Sequence, residues 1–153
     1  MTRRNFSLTC IMREDLLKAY REVYTSCRSQ KEAYLKTVKH AAPRFYVTPK
    51  QAYDRLRLMV HGDFTEVDKL SLIRRKMYYD LFEKLNVMSQ RTEYIGKSLW
   101  FICPFLVTQP ADEFYLSVES FKDIFPTLKK YGKEYHHRDV REQNKGKRPK
   151  PAR

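Results

Sequence analysis

AAPRFYVTPKQAYDRLRLMVHG, from Ala41 to Gly62, joins a proline turn, two aromatics, a helix start and a basic helix that ends on glycine. Pro43 closes the helix before it, because the residue preceding proline is pushed out of helical dihedrals. Thr48-Pro49-Lys50-Gln51 reads as a capping box with proline at the first helical position. The helix it starts should bury Ala52, Tyr53, Leu56, Met59 and Val60 and stop at Gly62. Between the two signals, Arg44-Phe45-Tyr46-Val47 is β-prone but short. An extended connector whose aromatics plug a core is the expected form.

Downstream, PADEFYLSVESFKDIFPTLKKYG (Pro110 to Gly132) has the same design. Phe45-Tyr46 matches Phe114-Tyr115, Thr48 matches Ser117 and Asp54 matches Asp123, all at an offset of 69. Upstream, Ser29-Gln30 with Tyr34 matches Ser89-Gln90 with Tyr94 at an offset of 60, which implies a nine-residue insertion around Trp100 to Leu106. Between Met12 and Cys27 apolar residues recur at helical spacing, and Ser29 to Glu32 forms a second capping box, opening a helix to about His40. Ser71 caps a strong helix with Leu72, Ile73, Met77, Tyr78, Leu81, Phe82 and Leu85 as its stripe, and Ser89 to about Leu99 reads as the next. Ser117 caps a last helix that Pro126 should kink or shorten.

The expected fold is all-α: two related three-helix units packed together. Residues 1–11 form a basic arm, 12–62 the first unit, 63–70 a linker, 71–132 the second unit and 133–153 a disordered basic tail. At 153 residues the chain can bury a sizeable core, and its 11 Tyr and 9 Phe rule out a disordered composition overall.

Net charge is +13, unevenly spread. Residues 28–62 hold +6 and residues 133–153 hold +5, whereas 63–88 and 89–132 are each neutral. A basic copy beside a neutral one points to a polyanion-binding role for the first. The three cysteines are widely spaced, with no C-x-x-C pair, so neither zinc nor a disulfide framework is expected. No signal peptide or bilayer-spanning run is evident, and a cytoplasmic protein is expected. No phosphate loop, Ser-His-Asp set or paired-carboxylate site stands out, and His136-His137 lacks nearby partner ligands. The reading is a non-enzyme without cofactor or metal.

Helix, capped helix, connector and capped basic helix over about 12–62, echoed in 71–132, resemble the trihelical helix-turn-helix domains of DNA-binding proteins. One departure is the connector from Ala41 to Val47, longer than the usual tight turn. The APRFYVT segment also resembles small bacterial proteins with such helical domains. The resemblance implies a third helix that enters the major groove. Lys50, Gln51, Asp54, Arg55 and Arg57 face away from its apolar stripe, and arginine grips guanine as glutamine grips adenine. Arg44, Lys31, Lys36 and Lys39 would neutralise phosphates. The tail cations Lys145, Lys147, Arg148 and Lys150 suit sequence-independent phosphate binding. The second copy carries Glu113 and Glu119 where the first has Arg44 and Lys50, which would repel phosphate.

The leading expectation is therefore a small regulator that binds double-stranded DNA. One alternative is a helical protein-interaction adaptor, with a partner or second copy docked on Trp100 to Leu106. Another is RNA binding through aromatics such as Tyr46 or Tyr53.

Overall fold

The computed structural model describes residues 2–126, with side chains from Leu8 onward. Regular structure among these residues is helical: α1 (Thr2–Val23), α2 (Gln30–Lys39), α3 (Pro49–Val60), α4 (Leu72–Met88), α5 (Leu99–Leu106) and α6 (118–126). The tail at 133–153, with Lys145, Lys147, Arg148 and Lys150, lies outside the described residues.

The caps form where local chemistry places them. Thr48 Oγ1 accepts from the Gln51 amide at 3.1 Å while Gln51 Oε1 accepts from the Thr48 amide at 3.0 Å. Two otherwise unpaired backbone donors are satisfied together. Ser29 Oγ accepts from the Glu32 amide, but Glu32 reaches back to the Arg28 amide instead of to the cap itself. Gly62, at φ +85°, takes the left-handed turn that ends α3.

Three expectations are corrected. The first eleven residues are not an arm, because α1 runs unbroken from Thr2. No helix spans 89–99, where the chain makes turns. The supposed insertion is instead α5, capped by Ser98, whose Oγ accepts from the Phe101 amide at 3.1 Å. Pro104 is tolerated inside α5 because the amide it lacks would have bonded the Trp100 carbonyl, at an exposed residue that water can reach. Ser29 and Ser98, α2 and α5, Phe45-Tyr46 and Phe114-Tyr115 thus all stand 69 residues apart.

Contacts at the centre keep that spacing. Ala42 and Ala111 donate to each other's carbonyls at 3.0 and 2.9 Å, an isolated antiparallel bridge. The Phe45 amide donates to the Val107 carbonyl, and the Phe114 amide to the Val38 carbonyl. Phe45 stacks on Tyr115 at 5.7 Å, and Tyr46 on Phe114 at 5.8 Å. The Tyr46 hydroxyl donates to Asp15 of α1, and the Tyr115 hydroxyl to Asp80 of α4. Shifting either member of each pair by 69 residues, or by 65 on the first helices, gives its counterpart. Phe45 is fully buried and Phe114 is 3 % exposed, so the connectors form the core's middle.

The third helices cross over. α3 packs chiefly on α5 and α4, while α1 packs on α2. On α6, Phe121 and Phe125 lie against Tyr20 of α1 and Tyr34 of α2. Each third helix therefore rests on the other half's first two, not on its own as a trihelical domain would have it. The long connector permits this, since it passes through the centre before the next helix begins. Val60 and Leu72, expected inside, are 52 % and 75 % exposed because the crossed packing turns their faces outward.

Phe45→Ala and Phe114→Ala should each cost about 3–5 kcal/mol in urea denaturation, as large-to-small changes at buried aromatics do. A loss below about 1 kcal/mol at either position would show that the centre does not hold the halves together.

Candidate functional site

α3 carries four of the residues expected to touch DNA, and its neighbours already engage three. Gln51 Oε1 is taken by the cap, and a bidentate grip on adenine needs that oxygen as well as the amide nitrogen. Lys50 Nζ lies 3.0 Å from Asp54, one turn along the same helix. Arg55 is only partly exposed: it lies 3.9 Å from Glu66 and over the ring of buried Tyr78. That position makes it an edge of the core. Arg57 is exposed.

The α2 lysines are not gathered with α3. Lys31 is exposed, Lys36 pairs with Glu32 at 3.4 Å, and Lys39 reaches Glu113 at 3.7 Å. Since α2 packs on α1 while α3 packs on α5 and α4, the two cation sets occupy different parts of the fold. Arg44 bonds its Nε to the Phe45 carbonyl at 3.0 Å and lies over the Tyr46 ring. It borders a cavity well away from the outward face of α3.

Glu113, the residue aligned with Arg44, is 7 % exposed and lies between two lysines. Lys76 Nζ stands 3.0 Å from one carboxylate oxygen, and Lys39 Nζ 3.7 Å from the other. Lys76 also reaches Asp80 at 3.3 Å. The hydrogen bond to Glu113 raises the Lys76 pKa, outweighing partial burial. Burial, with hydrogen bonds to Asp15 and Asp80, pushes the Tyr46 and Tyr115 hydroxyls up as well. Tyr115 holds φ +54°, an unfavourable backbone for a non-glycine residue, between its Asp80 hydrogen bond and the Phe45 ring.

α5 is apolar on both sides. Ile102, Cys103 and Leu106 are buried, whereas Trp100, Phe101 and Phe105 are 56 %, 44 % and 45 % exposed. Phe105 lies 5.7 Å from Phe101 and 5.9 Å from Tyr94, forming one ridge. Trp100 meets Tyr53 of α3 edge-on at 5.0 Å, and Lys97 Nζ stands 5.2 Å over Phe101. The corresponding positions of α2 are Lys31, Glu32 and Lys36. The fold therefore does not require rings there. α3 runs antiparallel to α5: Thr48 and Pro49 share a cavity with Pro104 and Thr108, while Tyr53 reaches Trp100. Arg57, one turn beyond Tyr53, points its end of α3 toward the Trp100 end of the ridge. The aromatic signal was visible in sequence, but its split between core and surface depends on where α5 starts.

Among the described residues no group of three His, Cys, Asp or Glu is placed to hold a metal, and no helix is long and apolar enough to cross a membrane. No protein-family model, curated protein or solved structure matches this chain.

Alkali should unfold the protein sooner than acid-side arguments alone would suggest. Burial pushes the Cys103 thiol from 9.0 to about 11, and Lys76, Tyr46 and Tyr115 are also shifted upward. Each group holds its proton more tightly when folded, so its contribution is complete below its unfolded pKa and disappears as pH climbs through the folded one. Stability by chemical denaturation should be level near neutrality and fall between about pH 9 and 11. Cys103→Ala should flatten the first part of that fall, and an unchanged slope would contradict the burial argument.

Proposed function

We propose that this chain is a nucleic-acid-binding protein that contacts its ligand through the α3–α5 face. The observation that carries the reading is the exposed Trp100–Phe101–Phe105 ridge beside cations, in a chain of net charge +13. Exposed rings stack on nucleotide bases irrespective of sequence, and lysine and arginine around them neutralise the backbone. Lys97 stands on the ridge itself and Arg57 lies toward its Trp100 end. The basic residues of the tail, Lys145, Lys147, Arg148 and Lys150, would add salt-dependent affinity along the backbone.

Stacking of this kind needs open bases, which favours single strands over a paired duplex. Engagement of Gln51, Lys50 and Arg55 within the fold argues the same way, against α3 as a reader of the major groove. A second reading, a protein partner seated on the ridge, is favoured by the area of apolar ring left open at Phe101 and Phe105.

Trp100 is the chain's single tryptophan, so its fluorescence reports directly on the ridge. Titration with a single-stranded oligonucleotide at low salt should quench it, with affinity falling steeply as salt is added. Trp100→Ala should weaken binding roughly tenfold or more, the loss of one stacked base. Unquenched fluorescence, or equal affinity after Trp100→Ala, would remove nucleic acid from the ridge and leave the protein partner.

A further inference from the structure

The cavity beside Arg44 carries an inference separate from the ridge. It has a volume of about 260 Å³ and lies between the outer side of α1, the start of α3 and the end of α5. Its walls are nearly all apolar: Leu8, Ile11, Pro49, Pro104 and Val107, with Arg44 the one charged residue.

The other half shows what fills the equivalent position there. Glu113 stands where this half has Arg44, and it is closed over by Lys39 and Lys76. The counterparts of those lysines, 69 residues on from Lys39 and 65 residues before Lys76, are Thr108 and Ile11. Both border the cavity. The charge at the centre of the arrangement is inverted from carboxylate to guanidinium, but no inverted partners accompany it. Where two lysines cover the acid, a threonine and an isoleucine leave the arginine open. Asp15, the counterpart of Asp80, instead accepts the Tyr46 hydroxyl.

Arg44 is nonetheless held in place. Its Nε donates to the Phe45 carbonyl and its plane lies over the Tyr46 ring. Among the described residues, no oxygen accepts from its two terminal nitrogens, and no carboxylate pairs with it. A fixed guanidinium with free donors offers a planar fork that matches a carboxylate, and the apolar walls match a hydrocarbon.

We infer that this cavity binds an apolar group ending in a carboxylate, with the acid on Arg44 and the hydrocarbon against Leu8, Ile11 and Pro104. Two sources share that chemistry: a free aliphatic acid, and the carboxyl terminus of a peptide with an apolar last residue.

The full chain, methyl-labelled for NMR, would be titrated with octanoate and, as the uncharged control, 1-octanol. Octanoate should shift the Leu8, Ile11 and Val107 methyls saturably and bind at least roughly tenfold tighter than octanol, the contribution of a charge-assisted pair. Arg44→Gln should erase that difference and leave octanol binding unchanged. Thr108→Glu should supply the missing acid, pair with Arg44, raise the melting temperature and abolish octanoate binding in a chain that still gives a dispersed spectrum. A third arm compares acetyl-alanyl-leucine with its amide. Tighter binding of that acid than of octanoate assigns a peptide terminus, and the reverse assigns a free aliphatic acid. Equal affinity for octanoate and octanol in the wild type, unchanged octanoate binding in Arg44→Gln, or shifts confined to methyls elsewhere would overturn the inference. None of these readouts depends on Trp100.

Discussion

The two connectors pass each other at the centre of the molecule, and the rest of the structure hangs on that crossing. Ala42 and Ala111 exchange hydrogen bonds, Phe45 covers Tyr115, and Tyr46 covers Phe114. Extended backbone inside a helical core must find partners for its amides and carbonyls, and here each connector supplies them to the other. Small alanines let the chains approach, and the large rings beside them fill the space between helix layers. With the connectors fixed, α3 can only leave toward α4 and α5, and α6 toward α1 and α2. The crossed packing follows from the centre.

The ridge and the Arg44 cavity both arise because corresponding positions were free to diverge around this constant middle. Ala33, Thr37 and Val38 on α2, like Ile102, Leu106 and Val107 on α5, face inward and are buried. The outward positions differ without restraint, charged on one helix and aromatic on the other. Charge follows a related division: residues 8–126 hold 19 Lys and Arg against 15 Asp and Glu, so most of the +13 lies toward the two ends. The folded body is thus close to balanced, with its local chemistry set by a few open residues.

Much of this was legible in the sequence, but unevenly. The Thr48–Gln51 capping box, the Gly62 stop and the helical stripes of α1 and α4 are short-range features, and short-range chemistry decides them. The start of α5 was missed because Ser89-Gln90 resembles Ser29-Gln30 and Pro104 discourages a helix. Carrying the offset of 69 back from Phe114 would have placed Ser98 opposite Ser29. The crossing of α3 and α6 was not legible, since an amphipathic helix shows which face is buried and not which neighbour buries it. For the same reason Gln51 and Arg55 read as open contacts, although Glu66, Tyr78 and the cap engage them once the chain has folded.

The spacing of the central pairs also sets an order of events. Ala42 and Phe45 meet partners about seventy residues downstream, and α3 rests on helices that follow it in the chain. Contacts so distant in sequence are reached late, after long loop closure. A nascent chain that has emerged only as far as Gly62 holds two helices able to pair, α1 and α2, and a third with no seat. The halves must therefore wait for one another, and the molecule closes as a clasp does, only when its second arm arrives.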